Sequence, residues 1–348
     1  MRGVAFGGDR TIEFVEVPDP TPGPFEVVLE MKASGICGSD IHQYRSPKGS
    51  ASETGPTIVG HEPCGVVAAV GSNVAPWQGS VGDRVMVHHY WGCNACRFCR
   101  TGWGQMCERQ APVVYGANAH GGHAPYLKVP AAILVPLPDA LSFEAGAAIA
   151  CGTGTAFAAL RRLAVSGGDS IAIFGQGPVG LAATQLAASM GGRVIAVDIA
   201  PGRLDLARTM GAWSVVDSSA SDPVAAIKDL TGGAGVDSAV DASGATQARS
   251  QALASIRPWG SLALVGVGGE FQPNLLTWLR SQVNVFTSWT FSTTGQAQCA
   301  DFVVTNQVAV DAIFTERWRL DQADEAYKLA DSQGAGKGVF VDFSGRSR

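Results

Sequence analysis

From residue 1 to about residue 150, the hydrophobic residues fall into short runs that glycine and proline interrupt. The runs at 26–31, 65–70 and 84–87 are rich in valine and have the length of β strands. Turn signals such as Pro18-Asp19-Pro20 lie between them. This part of the chain is therefore predicted to form a mostly-β domain with functional loops.

Near Cys151 the pattern changes to short apolar strands that alternate with helix-length segments. Strands are predicted at 170–174, 193–197, 214–216, 236–240 and 261–265. Helices are predicted at 178–190, 203–210, 223–230 and 246–256. This alternation predicts βαβ units and a doubly wound parallel sheet of the α/β class. After about residue 287 it stops, and a strand at 336–343 is expected to return to the first domain. The predicted domains are 1–152 with 287–348, and 153–286.

Composition narrows the classes of protein that the chain can represent. With 348 residues, 46% hydrophobic and 16% charged, it suits a globular protein of two domains. The net charge of −5 gives no basic surface for nucleic acid. No apolar run approaches the roughly 18 residues of a membrane span, and the N-terminus lacks a secretion signal. A cytoplasmic protein with a small-molecule partner is expected.

A glycine motif follows the predicted strand at 170–174. It reads Gly175-Gln176-Gly177-Pro178-Val179-Gly180 and opens a predicted helix. Glycines at this spacing allow a tight turn, a close approach of backbone to a pyrophosphate, and close packing of helix on strand. Asp198 ends the next strand, about 20 residues further on, where a carboxylate binds ribose hydroxyls. Its charge would repel a 2′-phosphate, which favours NAD over NADP, although the nearby Arg203 leaves NADP open.

Four of the eight cysteines lie within one short loop, at Cys93, Cys96, Cys99 and Cys107. Clusters of this kind usually hold a metal in a reducing compartment. Four thiolates satisfy the tetrahedral coordination of Zn²⁺ and leave no position for a substrate. The loop is therefore predicted to bind a structural zinc ion.

Other metal-ligating residue types are dispersed over three loops, at Cys37, at His61 and Glu62, and at Cys151. Spacing alone does not show that these loops converge. Taken singly, each cysteine could be a small buried hydrophobe, and His61 could be a loop histidine with satisfied hydrogen bonds.

Several motifs together resemble those of the zinc-containing medium-chain dehydrogenase/reductase family. They are the run 35–42 around Cys37, Gly60-His61-Glu62-x-x-Gly65, Gly82-Asp83-Arg84-Val85, the four-cysteine loop, and the glycine motif with Asp198. The likeness covers nearly the whole chain, and the motifs follow the family's order. Within the family, the chain resembles the bacterial threonine- and polyol-dehydrogenase-like branch. It implies a GroES-like catalytic domain, a Rossmann NAD-binding domain, and a zinc-dependent alcohol dehydrogenase.

The resemblance also implies a role for individual residues. Cys37, His61 and Cys151 match the protein ligands of a catalytic zinc, and Glu62 matches a carboxylate that can ligate it transiently. Asp40 matches the residue that orients the histidine ligand. Ser39 matches the hydroxyl that accepts the substrate proton, and His42 matches the group that releases it, since imidazole titrates near neutral pH. Three further positions match residues that flank the nicotinamide: Thr155, Val265 and Val267.

This sequence departs from the family pattern at a few positions. Cys151 stands where the polyol and threonine branches usually carry a glutamate, which puts a direct assignment to threonine or sorbitol in doubt. Gly38 stands where some members place a basic residue against the pyrophosphate. Cys64 and Cys299 are expected to be buried packing residues. His88 and His89, next to the cysteine loop, are expected to be structural or surface residues.

The leading hypothesis is reversible oxidation of an alcohol, secondary or a polyol, to a ketone or aldehyde, with two zinc ions per chain. One alternative is a zinc-independent reductase of the same fold, and the retention of Cys37, His61 and Cys151 disfavours it. Another is a dinucleotide-binding redox sensor without enzymatic activity, which would not need Ser39 and His42. A homo-oligomer is expected, with a tetramer favoured and a dimer also compatible.

Overall fold

The computed structural model describes residues 1–48, 56–332 and 334–344. Its contacts divide the chain into two units, Met1–Gly154 with Phe291–Arg348, and Thr155–Thr290. The first unit thus contains both ends of the chain, and the C-terminal segment packs with the N-terminal one. The domain boundaries placed at 152/153 and 286/287 from the sequence stay predictions.

The first unit is mostly β structure up to Gly154. Its strands and helices are β1 (Arg2–Gly8), β2 (Thr11–Glu16), β3 (Glu26–Gly35), α1 (Gly38–Tyr44), β4 (Pro63–Val70), β5 (Arg84–Val87), β6 (Tyr90–Trp91), α2 (Arg97–Arg100), β7 (Val113–Val114), β8 (Tyr126–Pro130), β9 (Leu134–Pro136) and α3 (Phe143–Ala148). Short 3-10 turns lie at Gly104–Met106 and Ala131–Ile133, and a π-helical turn lies at Ile149–Thr153.

The second unit alternates strands and helices. They are α4 (Gly154–Leu163), β10 (Ser170–Phe174), α5 (Pro178–Ser189), β11 (Arg193–Asp198), α6 (Pro201–Thr209), β12 (Ser214–Asp217), α7 (Pro223–Leu230), β13 (Val236–Asp241), α8 (Thr246–Ala254), β14 (Ile256–Leu264), α9 (Leu275–Ser281) and β15 (Asn284–Thr287). All six strands run parallel in the order β12-β11-β10-β13-β14-β15. The order reverses direction beside β10, and ligands of such sheets bind at the carboxyl ends of the strands around this point.

The chain then adds α10 (Thr293–Thr305), β16 (Phe314–Arg319), α11 (Ala323–Asp331) and β17 (Lys337–Asp342) to the first unit, with 3-10 turns at Val310–Ile313 and Leu320–Gln322. A seven-stranded sheet follows the order β16-β17-β3-β4-β5-β9, and β8 also pairs with β3. Its pairs are antiparallel except β16 with β17. The last strand therefore lies directly beside β3, whose end leads into the Cys37 loop.

The α/β fold class predicted from the sequence, a mostly-β domain plus a doubly wound parallel sheet, is confirmed. Most predicted strands match to within a few residues, but β14 begins at Ile256 and not at 261. Pro258 and Gly260 lie inside this strand, which joins the sheet through an irregularity in its register with β13. Helix α9 and strand β15 were not predicted.

One continuous helical segment, Phe143–Leu163, is long and apolar enough to cross a membrane by length and composition. This corrects the expectation that no segment approaches that length. Of its most apolar window, 72% is buried inside the protein, as is usual for a core helix of a folded domain, so the segment is weak support for a membrane span.

Candidate metal centres and dinucleotide site

The four-cysteine loop folds into one compact cluster in the first unit. The sulfur atoms of Cys93, Cys96, Cys99 and Cys107 all lie within 4.8 Å of one another. Cys93 Sγ and Cys99 Sγ are 4.0 Å apart, close to the roughly 3.8 Å that separates thiolates on a tetrahedral zinc ion with Zn–S bonds of about 2.3 Å. The donor set fits a closed zinc site in number, type and spacing.

Backbone N–H groups point at these sulfurs and favour their charged form. Cys96 N–H donates to Cys93 Sγ at 3.3 Å, and Cys93 N–H donates to Cys107 Sγ at 3.4 Å. The backbone N–H of Arg109, with that of Cys93, lowers the pKa of Cys107 to about 6. Thiolate is the form that binds metal, so these backbone N–H groups favour the metal-binding form of Cys107.

The dispersed set also converges, although its members come from three separate segments. Cys37 precedes α1, His61 and Glu62 precede β4, and Cys151 lies in the π-helical turn after α3. One donor atom from each residue lies within 4.8 Å of the others, and the two sulfurs are 3.9 Å apart. Two thiolates and an imidazole at these distances fit a zinc ion with room for a further ligand.

Backbone pairing explains why His61 reaches this position. Residues 58–60 run beside 121–123, with hydrogen bonds from Gly121 N–H to Ile58 O and from Gly122 N–H to Gly60 O, both 2.7 Å. His123 extends the support, because its ring contacts Ser34 Oγ at 2.8 Å and Tyr327 Oη at 2.9 Å. These contacts fix the segment that ends in His61.

Asp40 orients His61 and the Cys37 backbone together. Its Oδ1 lies 2.8 Å from His61 Nδ1, and its Oδ2 accepts the Cys37 N–H at 2.8 Å. Burial lowers the pKa of His61, but the charges of Asp40 and Cys37 outweigh it and raise that pKa well above its ordinary value. With Nδ1 bound to Asp40, Nε2 is left to face a metal ion.

The two thiols of this set influence each other. The hydrogen bond with Cys151 lowers the pKa of Cys37 well below its ordinary value, while the same contact raises the pKa of Cys151. A single proton shared between the sulfurs explains both directions, since two neighbouring thiolates repel each other unless a cation compensates them. The pair therefore favours binding of a metal cation.

Glu62 completes the cluster and is held from one side. Its Oε1 accepts a hydrogen bond from Lys337 Nζ at 2.7 Å, and both side chains are buried. Burial raises the pKa of Glu62 to about 7, against the opposing charge of Lys337. Lys337 was not identified from the sequence, where it stands in Gly336-Lys337-Gly338 without a motif, 275 residues from Glu62.

Helix α1 presents two polar residues to solvent beside this cluster. Ser39 and His42 are both exposed, whereas Asp40 between them is buried. Ser39 Oγ lies 3.3 Å from His61 Nε2. Residues three apart share one face of a helix, so Ser39 and His42 lie on the same exposed face of α1.

His88 and His89 are both buried, which excludes the surface position that was one of two expectations for them. The His89 ring centroid lies 5.0 Å from that of His61 in an edge-to-face arrangement. Burial lowers the pKa of His89 well below its ordinary value and that of His88 to about 4. Burial therefore disfavours the charged form of both rings. Cys64 and Cys299, expected to be packing residues, are fully buried.

The second unit carries the glycine motif between β10 and α5. Gly175 has φ +88, and a Cβ at Gly180 would meet Gly175 O at 1.7 Å, so both positions require glycine. A Cβ at Gly177 would meet no atom of the described chain within 4 Å, which leaves open space above the turn. Pro178 and Val179 form the first turn of α5. This is the geometry that receives a pyrophosphate at a helix N-terminus.

Asp198 ends β11 beside that turn. Its Oδ2 accepts the Gln176 N–H at 2.5 Å and its Oδ1 accepts the Ala200 N–H at 2.9 Å. Arg203 Nη1 lies 3.9 Å from Asp198 Oδ2. The predicted carboxylate is therefore fixed next to the glycine turn, with an arginine beside it.

The remaining predicted cofactor residues also lie in the second unit. Thr155 is buried at the start of α4. Val265 follows β14 and donates its N–H to Asp241 O at 2.9 Å, and Val267 is 77% exposed. The carboxyl end of β13 is joined to α8 by a buried ion pair that the sequence did not reveal, with Arg249 Nε 2.8 Å from Asp241 Oδ2.

Similarity to known proteins covers both units. Residues 23–139 match the family described as alcohol dehydrogenase GroES-like domain, and residues 178–305 match that described as zinc-binding dehydrogenase. The chain is 37% identical over 345 residues to an uncharacterised zinc-type alcohol dehydrogenase-like protein of Escherichia coli, covering 97% of each chain. It is 32% identical to a sorbitol dehydrogenase of Bacillus subtilis, covering 95% of this chain and 93% of the relative. The crystal structure of an NAD-dependent alcohol dehydrogenase superposes with a TM-score of 0.86 at 29% identity, covering 98% of this chain and 99% of that one.

Proposed function

The chain belongs to the zinc-dependent alcohol dehydrogenase family, and on that premise we propose how its own residues divide the work of the reaction. The protein is an enzyme that oxidises an alcohol with zinc and NAD, as the matched families and relatives establish. The observation that carries the residue assignment is the convergence of Cys37, His61, Glu62 and Cys151 within 4.8 Å.

Cys37, His61 and Cys151 are the proposed ligands of the catalytic zinc. Three protein ligands leave a fourth position for water or substrate oxygen, whereas the closed set of Cys93, Cys96, Cys99 and Cys107 suits a structural ion. The second thiolate, from Cys151, lowers the charge that the metal presents to substrate. Glu62 is proposed to lie beside the metal as a carboxylate that can approach it.

The proton path is proposed to run over α1. When bound, zinc acts as a Lewis acid that makes an alcohol hydroxyl more acidic, and the nicotinamide ring of NAD takes up the hydride. Ser39, whose Oγ is 3.3 Å from His61 Nε2, holds its hydroxyl where it can accept the proton. His42, exposed on the same helix, passes that proton to solvent.

The proposed NAD site is built from the turn after β10. Gly175, Gly177, Pro178, Val179 and Gly180 offer backbone to the pyrophosphate. Asp198 accepts hydrogen bonds from the adenosine ribose, which predicts a higher kcat/KM with NAD than with NADP. Arg203 lies beside that carboxylate, and Thr155, Val265 and Val267 are proposed to flank the nicotinamide.

A secondary alcohol or a polyol is the proposed substrate. The Bacillus subtilis relative is named for sorbitol, and other relatives are named for D-xylulose and L-galactonate. The thiolate of Cys151 separates this chain from the glutamate pattern expected of polyol enzymes, so simple secondary alcohols belong in the same test. NADH formation is followed at 340 nm across a series of secondary alcohols, pentitols and hexitols.

That assay also separates the alternatives. A zinc-independent reductase would oxidise none of these alcohols and would hold at most one zinc ion per chain. A redox sensor without enzymatic activity would bind NAD and produce no NADH. Turnover with one or more alcohols, together with two zinc ions per chain, supports the proposal. Turnover without zinc at the site of Cys37, His61 and Cys151 overturns it.

A cytoplasmic homo-oligomer, with a tetramer favoured over a dimer, is part of the proposal. On the second unit, Leu275, Leu276 and Leu279 of α9 are exposed, and the neighbouring β15 is the edge strand of the parallel sheet. An exposed apolar helix beside an edge strand suits contact with a second copy. Light scattering of the purified chain measures the oligomeric state, and a monomer at micromolar concentration would contradict the proposal.

A further inference from the structure

Lys337 is a buried positive charge at the metal-ligand cluster of the first unit. Its side chain is 1% exposed, and its Nζ donates to Glu62 Oε1 at 2.7 Å; the Glu62 side chain is fully buried. A charge is taken out of water at a cost of several kcal/mol unless a partner compensates it. Lys337 and Glu62 compensate each other, so their pairing fixes the position of both.

The backbone fixes Lys337 at this place. It is the first residue of β17, which pairs with the end of β3 through Val339 opposite Gly35. Ile36 N–H donates to Gly338 O at 3.0 Å, which ties the strand to the segment that leads into Cys37. The ammonium group is therefore carried by the start of an interior strand, which pairs with β16 on one side and β3 on the other, and does not depend on a flexible loop.

Gly35 leaves the space in which the pair meets. A Cβ at this residue would lie 2.0 Å from Glu62 Oε2 and 3.2 Å from Lys337 Cε. Any side chain at position 35 would thus displace the Glu62 carboxylate. The absence of a side chain here leaves room for the carboxylate beside the end of β3, next to the cluster.

The two oxygens of Glu62 have different surroundings. Oε1 is engaged by Lys337, whereas Oε2 is buried with no hydrogen-bond partner among the residues that the structure describes. The carboxylate also offers an oxygen within 4.8 Å of the donor atoms of Cys37, His61 and Cys151. Glu62 is thus close enough to become a ligand, and Lys337 donates the one hydrogen bond that its carboxylate accepts within the described part of the chain.

Charge balance shows what that contact does. A Zn²⁺ ion with two thiolates and a neutral imidazole carries no net charge, and Glu62 with Lys337 adds none. Without Lys337 the carboxylate would be a buried anion whose nearest compensating cation is the metal. Carboxylates bind zinc at about 2.0–2.2 Å and would fill the position meant for substrate.

We propose that Lys337 is a positioning residue that holds Glu62 back from the fourth ligand position of the metal, so that the position stays available to an alcohol. The inference rests on the proposed function in one respect, the binding of the metal by Cys37, His61 and Cys151. Lys337 acts through Glu62 and touches neither substrate nor cofactor.

The test uses the full-length protein with cobalt in place of zinc and imidazole as a probe of the open position. Imidazole can bind only where a coordination position is open, so the change that it causes in the cobalt absorption bands reports the dispersed site and not the four-thiolate site. In Lys337→Met we expect half-saturation to need at least about tenfold more imidazole than in the unaltered protein, the size typical of losing a residue that orients a metal ligand. Lys337→Arg keeps the charge and should stay within about threefold of the unaltered protein by the same measure.

A double variant keeps the test decisive if Lys337→Met folds poorly. Glu62→Gln with Lys337→Met removes both buried charges and leaves an amide, which is a weak ligand, so imidazole binding should return toward that of the unaltered protein. Equal imidazole affinity in Lys337→Met and the unaltered protein would overturn the role of Lys337. If imidazole shifts no band in the unaltered protein, the proposed metal site itself is wrong.

Discussion

The two cysteine-containing clusters of the first unit both offer sulfur atoms to a metal, but the chain brings these atoms together in two different ways. The four-thiolate cluster comes from one short loop, with its sulfurs 4.0 Å apart at Cys93 and Cys99 and backbone N–H groups pointing at them. The dispersed cluster draws Cys37, His61 and Cys151 from three segments, and its donors are supported by charged side chains. We propose that zinc stabilises the first set within one loop, whereas the second set is brought together only by the fold of the whole domain.

The difference extends to what surrounds each cluster. Around the dispersed set, Asp40 holds His61 and Lys337 holds Glu62, so each polar neighbour is itself fixed by a partner. The four-cysteine loop has four equivalent ligands and no such neighbour is needed to keep a position open. The number of protein ligands on the zinc ion, and not their type, distinguishes a structural site from one that can bind an alcohol.

The largest expected effect comes from Cys37→Ser. Removing this ligand from the dispersed cluster should lower kcat by at least about a thousandfold, because several kcal/mol of Lewis-acid stabilisation are lost. Metal analysis should give one zinc ion per chain, with circular dichroism close to that of the unaltered protein. Cys299→Ser, the same change at a buried cysteine outside both clusters, should retain two ions and most turnover. Normal turnover of Cys37→Ser would break the comparison between the clusters.

Ser39→Ala tests the proton path with the metal left in place. We expect kcat to fall about a hundredfold, the lower end of what a positioned proton acceptor contributes, while the zinc content stays at two ions. Ser46→Ala is the matched control, since Ser46 Oγ donates to the His42 carbonyl near the end of α1 and lies outside the metal-ligand cluster. If both variants lose activity equally, the helix and not the Ser39 hydroxyl is responsible.

Asp40→Asn tests whether His61 must be oriented. The amide keeps an acceptor for the Cys37 N–H but loses the charge that pairs with His61 Nδ1, so zinc should dissociate about tenfold faster and turnover should fall by a similar factor. The rate of zinc dissociation is measured as zinc release to a chromogenic chelator. Asp237→Asn is the control: Asp237 also accepts a backbone N–H, from Ser170, and pairs with an arginine, but it lies in the other unit. Unchanged zinc release in Asp40→Asn would count against the orienting role.

Cys96→Ser should have the smallest effect on turnover, less than about twofold at 25 °C in the protein that remains folded, because the four-thiolate cluster holds no open position. Its effect should fall on stability. Losing one of the four thiolates weakens zinc binding, and the free energy of zinc binding contributes to the stability of the fold. A loss of about 3 kcal/mol in the free energy of unfolding corresponds to a fall of roughly 6–12 °C in Tm for a domain of this size. Scanning calorimetry with parallel metal analysis checks this. A large loss of kcat with unchanged Tm would reverse the two assignments.

Much of this contrast could be predicted from the sequence, and the reason is local geometry. Spacing alone identifies the four-cysteine cluster at Cys93, Cys96, Cys99 and Cys107. The position between a predicted strand and a predicted helix identifies the glycine motif at 175, 177 and 180. The parallel sheet follows from the alternation of strands and helices. Each of these signals lies within a short stretch of chain.

What the sequence could not reveal depends on distant segments. Nothing near Lys337 indicates that it meets Glu62, because that contact arises from β17 pairing with β3. His89 likewise comes against His61 only through the fold of the loops. Even the convergence of Cys37, His61 and Cys151 was implied by a family resemblance and not by spacing. Tertiary contacts across hundreds of residues leave no periodic trace in the chain.

Anomalous X-ray scattering at the zinc edge, from crystals of the full chain grown with zinc, tests the central claim most directly. We predict two zinc peaks per chain. One lies among the four loop cysteines, and the other lies about 2.0–2.3 Å from Cys37 Sγ, His61 Nε2 and Cys151 Sγ with a non-protein fourth ligand. A peak only in the cysteine loop, with those three donor atoms too far apart to share an ion, would contradict the assignment of the catalytic site.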